Sequence, residues 1–358
     1  MIRIIGVVLL LVSLYAALFI SDVNAFSLGN LITVANRQGF FAVLTIAVAV
    51  VIITGGIDLS IGSVIGLTAV LFGVLMQNGY QPLFAFFICI GVGFLIGLVN
   101  GVLVTFLQLQ PFLVTLCGLF IFRGVARTLT SSPVGIQKVI QAHQAQQENP
   151  ERPDFFIQSL RTMRRLLVGK DLDGELSNPM LVVIAAVLVV ILAVVLHRSA
   201  HGRYLYAIGY NDKAARYAGI GVDWYRLAVY MVCSTLTAFA GVLFFLDYGT
   251  ATPSTTGESL ELYAITGAVL GGCSLRGGDG TALGVILGAA VLPLLKNLMN
   301  FVGISDDIMP IIIGLTLFVG VIVDELFRRP GLLNRVVMLY LWIRNPLLMW
   351  FVTRKPRN

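Results

Sequence analysis

The chain has 358 residues, is 58% hydrophobic and 12% charged, and carries a formal net charge of +6. Soluble domains carry about 25% charged residues, so this composition excludes an ordinary globular protein and indicates an integral membrane protein. The positive balance does not indicate nucleic-acid binding, because the basic residues flank apolar runs, as positive-inside loops do, instead of forming one soluble patch.

Apolar runs near the roughly 20 residues that a helix needs to cross lipid recur from Ile4 to Val323. They predict an all-α, polytopic transmembrane helical bundle. Only helices satisfy every backbone group within a single lipid-embedded segment, and these runs are too long and uniformly apolar for barrel strands. About ten spans of that length follow. In the first half, residues 1–130, they cover 4–20, 37–54, 57–77, 82–106 and 111–129. In the second half, residues 179–324, they cover 179–197, 225–247, 258–273, 280–300 and 305–323. The opening run MIRIIGVVLLLVSLYAALFI has Arg3 as a basic end but no clear small-residue cleavage site, so it reads as a retained first span. All four cysteines, Cys89, Cys117, Cys233 and Cys273, lie in or beside apolar runs. They are small packing residues and not a disulfide framework.

Segment 198–226 holds Arg198, Arg203, Lys213, Arg216 and Arg226, and the last span is followed by Arg328, Arg329 and Arg335. Short-loop charges of this kind belong inside. With ten spans both termini are then cytoplasmic, and the polar stretch 131–178 is an external insert, the only soluble excursion of any size. The tail 325–358 mixes Tyr340, Trp342 and Trp350 with Arg344, Arg354, Lys355 and Arg357, which fits interfacial helices better than another span.

Between the second and third spans the chain reads TGGIDLSIG, residues 54–62. Gly55 and Gly56 weaken a helix, and Asp58 and Ser60 compete with its backbone for hydrogen bonds. A break is expected here, with restart near Asp58 or Ser60, each a good N-cap. Either two spans meet at this point or one long helix is broken. Asp58 is read as a buried cap, as part of a polar break lining a translocation path, or as both. LGGCSLRGG, residues 270–278, is a loose counterpart, and each half also carries a GxxxG pair, Gly93 with Gly97 and Gly284 with Gly288. A true repeat would have the form of transporters built from related halves; convergence of glycine-rich membrane helices is the other reading. Candidate path residues are Gly55, Gly56, Asp58, Ser60, Asn100, Thr115 and Asn297, although interhelical hydrogen bonding alone would account for Asn100, Thr115 and Asn297.

In HGRYLYAIGYNDKAARYAGIGVDWYRLAVY, Asn211 or Asp212 can cap a short helix that Gly219 and Gly221 end. Such a helix held between spans serves as a solvated connector or as a docking knob for a cytoplasmic partner. GxxxxGK[ST] is absent, as is any other phosphate-cradling loop, so the energy for transport comes from another subunit or from an ion gradient. His143, His197 and His201 are not at zinc-ligand spacing, and there is neither a nucleophile elbow nor a pair of catalytic carboxylates. These patterns give an enzyme reading no support.

ITGGIDLSIGSVIGLTA, GLVNGVLVTFLQLQPFLVTL, GRYLYAIGYNDKAARYAGIGVDWYRLAVY and ELYAITGAVLGGCSLRGGDGTALGVILGAAVLPLLKNLMNFVGIS occur in this order. Together they resemble the permease subunits of bacterial ABC sugar importers of the ribose, xylose and galactose type. The resemblance runs to about Asp324; the insert is longer than it implies and the tail is additional. It implies an inner-membrane subunit that pairs with a second permease copy or a paralogue. It also implies two cytoplasmic ATPases, which bind the ATP, so that the chain has no cofactor of its own, and a periplasmic sugar-binding protein that delivers a monosaccharide. Gly209, Asn211, Ala214, Ala215, Gly219 and Ile220 would form the ATPase-coupling segment. The alternatives are a secondary transporter using Asp58 for a proton or sodium ion, and a branched-chain amino-acid permease.

Overall fold

The computed structural model describes residues 2–146 and 154–328. Apart from the end of the last helix, the tail expected at the interface lies outside the described residues. The helices in chain order are α1 (Ile2–Ser21), α2 (Leu28–Ile53), α3 (Ile61–Gln77), α4 (Pro82–Thr105), α5 (Pro111–Leu129), α6 (Ile136–Gln146) and α7 (Phe155–Val168). They continue as α8 (Met180–Arg198), α9 (Ala200–Tyr210), α10 (Asp212–Tyr217), α11 (Val222–Tyr248), α12 (Leu260–Leu270), α13 (Ala282–Val302) and α14 (Met309–Arg328). Each apolar run read from the sequence is one of these helices. Among the described residues, seven helices are long and apolar enough to cross a membrane: α1, α2, α4, α5, α8, α11 and α13. α3 and α12 are apolar but shorter.

The run AVLTIAVAVVII makes α2 apolar on every side, which suits only a central position, and Val43 through Ile53 are buried. α11 lies against it and is buried along most of its length. Glycines set how closely the helices approach. On α4, Gly93, Gly97 and Gly101 lie four residues apart, and a Cβ on Gly97 would come within 2.6 Å of the Met231 Cα. On α13, Gly284 and Gly288 press on Gly271 and Gly267, where a Cβ would overlap backbone oxygens. Both GxxxG pairs therefore serve close helix contact.

The direction of α3 decides whether TGGIDLSIG joins two helices or interrupts one. Asn36, near the start of α2, donates to Asp247 at the end of α11 (3.4 Å), whereas the Ile53 carbonyl at the other end of α2 accepts from Gly278. Phe72, near the end of α3, packs on Phe245 near the end of α11, with ring centroids 5.7 Å apart. α3 thus runs back beside α11 towards the end where α2 began, and the segment is a reversal between two helices.

The polar insert is not a free excursion. Val134 and Gly135 pair with Ala251 and Thr250 in a short antiparallel ladder, and Phe156, Leu160 and Val168 of α7 are buried in the main core. Arg164, buried despite its charge, donates to the carbonyls of Leu246 (2.8 Å), Asp171 (2.7 Å) and Leu172 (2.9 Å). Burial lowers its pKa from the usual guanidinium value. Lys170 pairs with Asp247 at 2.8 Å. The insert forms a folded plug on the bundle because the apolar spacing of Phe156, Leu160 and Val168 gives α7 a buried stripe despite its high charge content.

Candidate functional site

α2 ends in a Schellman motif: Gly55 donates to the Ile52 carbonyl (2.9 Å) and Gly56 to that of Val51 (3.0 Å). Gly55 adopts φ +81°, a conformation that a side chain would strain. Asp58, 1% exposed, then makes an Asx turn. Its Oδ1 accepts from the Ser60 N–H (2.8 Å) and the Ser60 hydroxyl (2.6 Å), and its Oδ2 lies 3.8 Å from the Cys233 thiol that donates to it. The Ser60 carbonyl accepts the Val64 N–H. Of the two expected caps, Asp58 supplies the side chain, while Ser60 supplies the first helical carbonyl and makes no side-chain cap bond itself. Asn100 joins by donating to the Ser60 hydroxyl (3.4 Å), and the Thr115 hydroxyl lies 3.3 Å from the Ile57 carbonyl.

α12 ends in the same way, with Gly272 donating to Val269 and Cys273 to Ala268, both at 2.9 Å. Gly272 adopts φ +90°. The left-handed glycine is the first of the pair in TGG but the second in LGG. Gly55 therefore matches Gly272 structurally, one residue out of the register in which the two strings read alike. The breaks also touch, because the Gly278 N–H donates to the Ile53 carbonyl (2.8 Å) and a Cβ on Gly277 would lie 2.7 Å from the Gly55 nitrogen. Gly209 of α9 closes the junction: a Cβ there would overlap the Ile53 carbonyl, and one on Gly277 would lie 2.8 Å from the Gly209 carbonyl oxygen.

Beside this junction, Asn211 caps α10 by accepting the Ala214 N–H (3.0 Å), and Gly219 and Ile220 end it by donating to Arg216 and Ala215. Ala215 is buried with Ile208 and Val222, and Ile220 packs against that cluster. Ala214 faces outward with Tyr210 and Tyr217, which are 84% and 92% exposed. Arg216 grips Asp223 with two bonds (2.8 and 2.5 Å) and reaches Asp212 (3.0 Å); Arg226 pairs with Asp212 at 2.9 Å. The bonds to Asp223 and then Asp212 raise the Arg216 pKa further. Of the coupling residues expected from the sequence, Ala214 and Asn211 are exposed, Ala215 and Ile220 hold α10 in place, and Gly209 faces the breaks.

A cavity of about 570 Å³ lies between Gly55 and Gly56, the α4–α5 turn and α10. Thr105 and Tyr230 line it, as do Gln108 and Gln110. Sequence reasoning missed these four; the polar string TFLQLQP between two apolar runs was the available signal for three of them, and nothing local marks Tyr230. Asn297 stands apart. Its amide pairs reciprocally with that of Asn30, at 3.0 and 3.3 Å, and ties α13 to α2.

Irregular backbone at membrane depth persists only where protein buries it or where it lines a cavity, and matched breaks in two halves are a feature of transporters built from related halves. Residues 30–321 match the family described as branched-chain amino acid transport system / permease component. A probable ABC transporter permease protein, y4mJ, of Sinorhizobium fredii is 33% identical over 84% of this chain and 83% of its own length. The ribose import permease protein RbsC of Escherichia coli K12 is 31% identical over 84% of this chain and 87% of its own. The fructose import permease protein FruG of Bifidobacterium longum is 30% identical over 82% of both. No solved structure matches the chain. The chain belongs to this permease family and is a multi-pass inner-membrane permease subunit.

Proposed function

We propose that the chain is the membrane-spanning subunit of an ATP-driven importer that carries a monosaccharide handed over by a periplasmic binding protein. The observation carrying this reading is coextensive similarity to a ribose import permease, over 84% of this chain and 87% of that one. The branched-chain amino-acid reading has only the family description behind it.

In this reading the bundle has ten spans, both termini and α10 lie on the cytoplasmic side, and the α7 plug lies outside, where the binding protein docks. Two ATPase subunits, which hold the ATP, grip the exposed face of α10. A second permease copy or a paralogue completes the pore. ATP binding draws the ATPases together, α10 moves with them, and α9 carries the movement through Gly209 to both helix breaks, which alternate access between the two sides. Gly55, Gly56, Asp58, Ser60, Asn100 and Thr115 belong to the moving region of the path. Asn297 fastens two helices outside that region. A secondary transporter is less well supported, because both Asp58 oxygens are engaged in capping and in the Cys233 contact.

The test is reconstitution of the permease in liposomes with its ATPase and binding protein, offering labelled pentoses, hexoses and leucine. Uptake of one sugar, dependent on ATP and insensitive to an uncoupler, is expected. Uptake that an uncoupler abolishes while ATP depletion leaves it intact would overturn the proposal, and uptake of leucine alone would return the amino-acid reading.

A further inference from the structure

Four charged side chains gather where α5 meets the start of α12: Arg123 and Arg127 on α5, Glu258 in the turns before α12, and Glu261 in its first turn. A Cβ on Gly62 would overlap the Glu261 carboxylate, and one on Gly66 would stand 3.0 Å from the Arg123 guanidinium, which donates to the Thr256 carbonyl. Gly62 is the second residue of α3, and from there to Gln77, the outer end in the importer reading, the helix rises about 22 Å. That is most of the way through a hydrocarbon core about 30 Å thick, so Glu261 lies deep in the membrane. Residues 252–259 descend to this depth as turns without helix, and a Cβ on Gly257 would overlap the Gly62 carbonyl. Ser254, Thr255 and Glu258 on this segment are exposed, as is Arg127, while Arg123 and Glu261 are half-buried. Irregular backbone at membrane depth is tolerated only where protein buries it or where it lines a water-filled cavity, and intramembrane charges mark substrate pathways. Backbone and charge, two separate features, thus put water against this face. Arg123 is within electrostatic reach of the other three, and among the described residues no ion pair engages any of the four. Two cations and two anions give the face no net charge. Carboxylates that accept from hydroxyls, beside guanidiniums that donate to oxygens, suit a neutral polyol.

We infer that the sugar crosses the membrane along the face between α5 and residues 252–261, where Glu258, Glu261 and Arg123 hydrogen-bond it in passage. The inference rests on the importer reading and adds to it one wall of the path and the groups that touch the sugar; the second permease subunit supplies the opposite wall. The first helix break supports this wall from behind, since a Cβ on Gly118 of α5 would stand 3.3 Å from the Ser60 Cβ. Movement of the break would therefore reach the sugar through α5.

The test uses the full reconstituted complex and the sugar that the uptake panel identifies. Glu258→Gln and Glu261→Gln are each expected to lower sugar delivered per ATP hydrolysed by about fivefold, because a carboxylate's hydrogen bond is about twice as strong as a neutral one. A sugar not caught on this face slips back while ATP is spent. Where Glu261→Gln lowers the yield of folded protein, Glu258→Gln, at an exposed position, carries the test alone. In a Cys117→Ser background, which removes the exposed cysteine, Thr255→Cys should react with a charged methanethiosulfonate at least tenfold faster than Phe84→Cys on the exposed apolar face of α4, since a thiol must ionise in water to react. Unchanged sugar per ATP in the carboxamide variants, or a Thr255→Cys rate no greater than that of Phe84→Cys, overturns the path while leaving the importer intact. Uptake and ATP hydrolysis that fall together, with their ratio unchanged, overturn it as well and place the carboxylates in coupling. A wild-type complex that moves none of the sugars overturns the importer reading and the sugar path together.

Discussion

Asp58 shows how one buried carboxylate is accommodated in a span-rich chain. Its Oδ1 is committed to the backbone and side chain of Ser60 and its Oδ2 to Cys233, so its role is to restart α3 after the break. Asparagine caps nearly as well as aspartate. Asp58→Asn should therefore transport at close to wild-type rate, and a proton-coupled role for Asp58 would instead predict near-complete loss. Asp58→Ala removes the cap and should cost about 1–2 kcal/mol, read as a lowered unfolding temperature in detergent. The cap was legible in the sequence because GlyGly followed by Asp-x-Ser is local chemistry. Cys233 and Tyr230, from a helix remote in sequence, were not.

Among the elements, α10 and the junction beneath it have separable roles. Ala214 is exposed and Ala215 buried against Ile208 and Val222, so the two adjacent alanines should fail differently. Ala214→Glu is expected to abolish co-purification with the ATPase while membrane insertion and thermal stability stay normal. Ala215→Glu should also unseat α10 and lower stability. If Ala214→Glu still co-purifies in normal yield, the docking assignment falls. Gly209→Ala places a methyl group against the Ile53 carbonyl, and overpacking of this kind costs about 1–3 kcal/mol. Its expected phenotype is ATPase that binds and hydrolyses while sugar uptake is lost, measured on the same liposomes. Sequence placed α10 and both its ends, since Asn211 and Gly219 are local signals. It could not place Gly209 against two helix breaks distant in the chain.

At the scale of the whole molecule, the buried Arg164 both ties the plug to the bundle and holds the plug's own turn, beside the Lys170–Asp247 pair, the short ladder and the apolar stripe of α7. Arg164 serves three carbonyls from two segments, Leu246 and the Asp171–Leu172 turn. Arg164→Met would leave these acceptors unpaired, and about 3 kcal/mol of stability should be lost, checked by thermal unfolding of the detergent-solubilised chain. α7 should then become sensitive to protease at concentrations that leave the wild type intact. Its polar composition led the sequence reading to treat it as a soluble excursion, because a stripe of three apolar residues declares itself only when a surface is present to receive it.

The sequence alone determined the membrane, the helical class, the ten apolar runs, both glycine breaks and the ends of the short helix α10. These follow from hydropathy and from residues acting within about four positions of one another, and both are properties of the chain itself. Tertiary structure decided which break faces which, the one-residue slip between their matching glycines, the seating of the plug and the cavity between the first break, the α4–α5 turn and α10. Each of these depends on surfaces from distant segments meeting, and local periodicity carries no record of the partner a helix face will find.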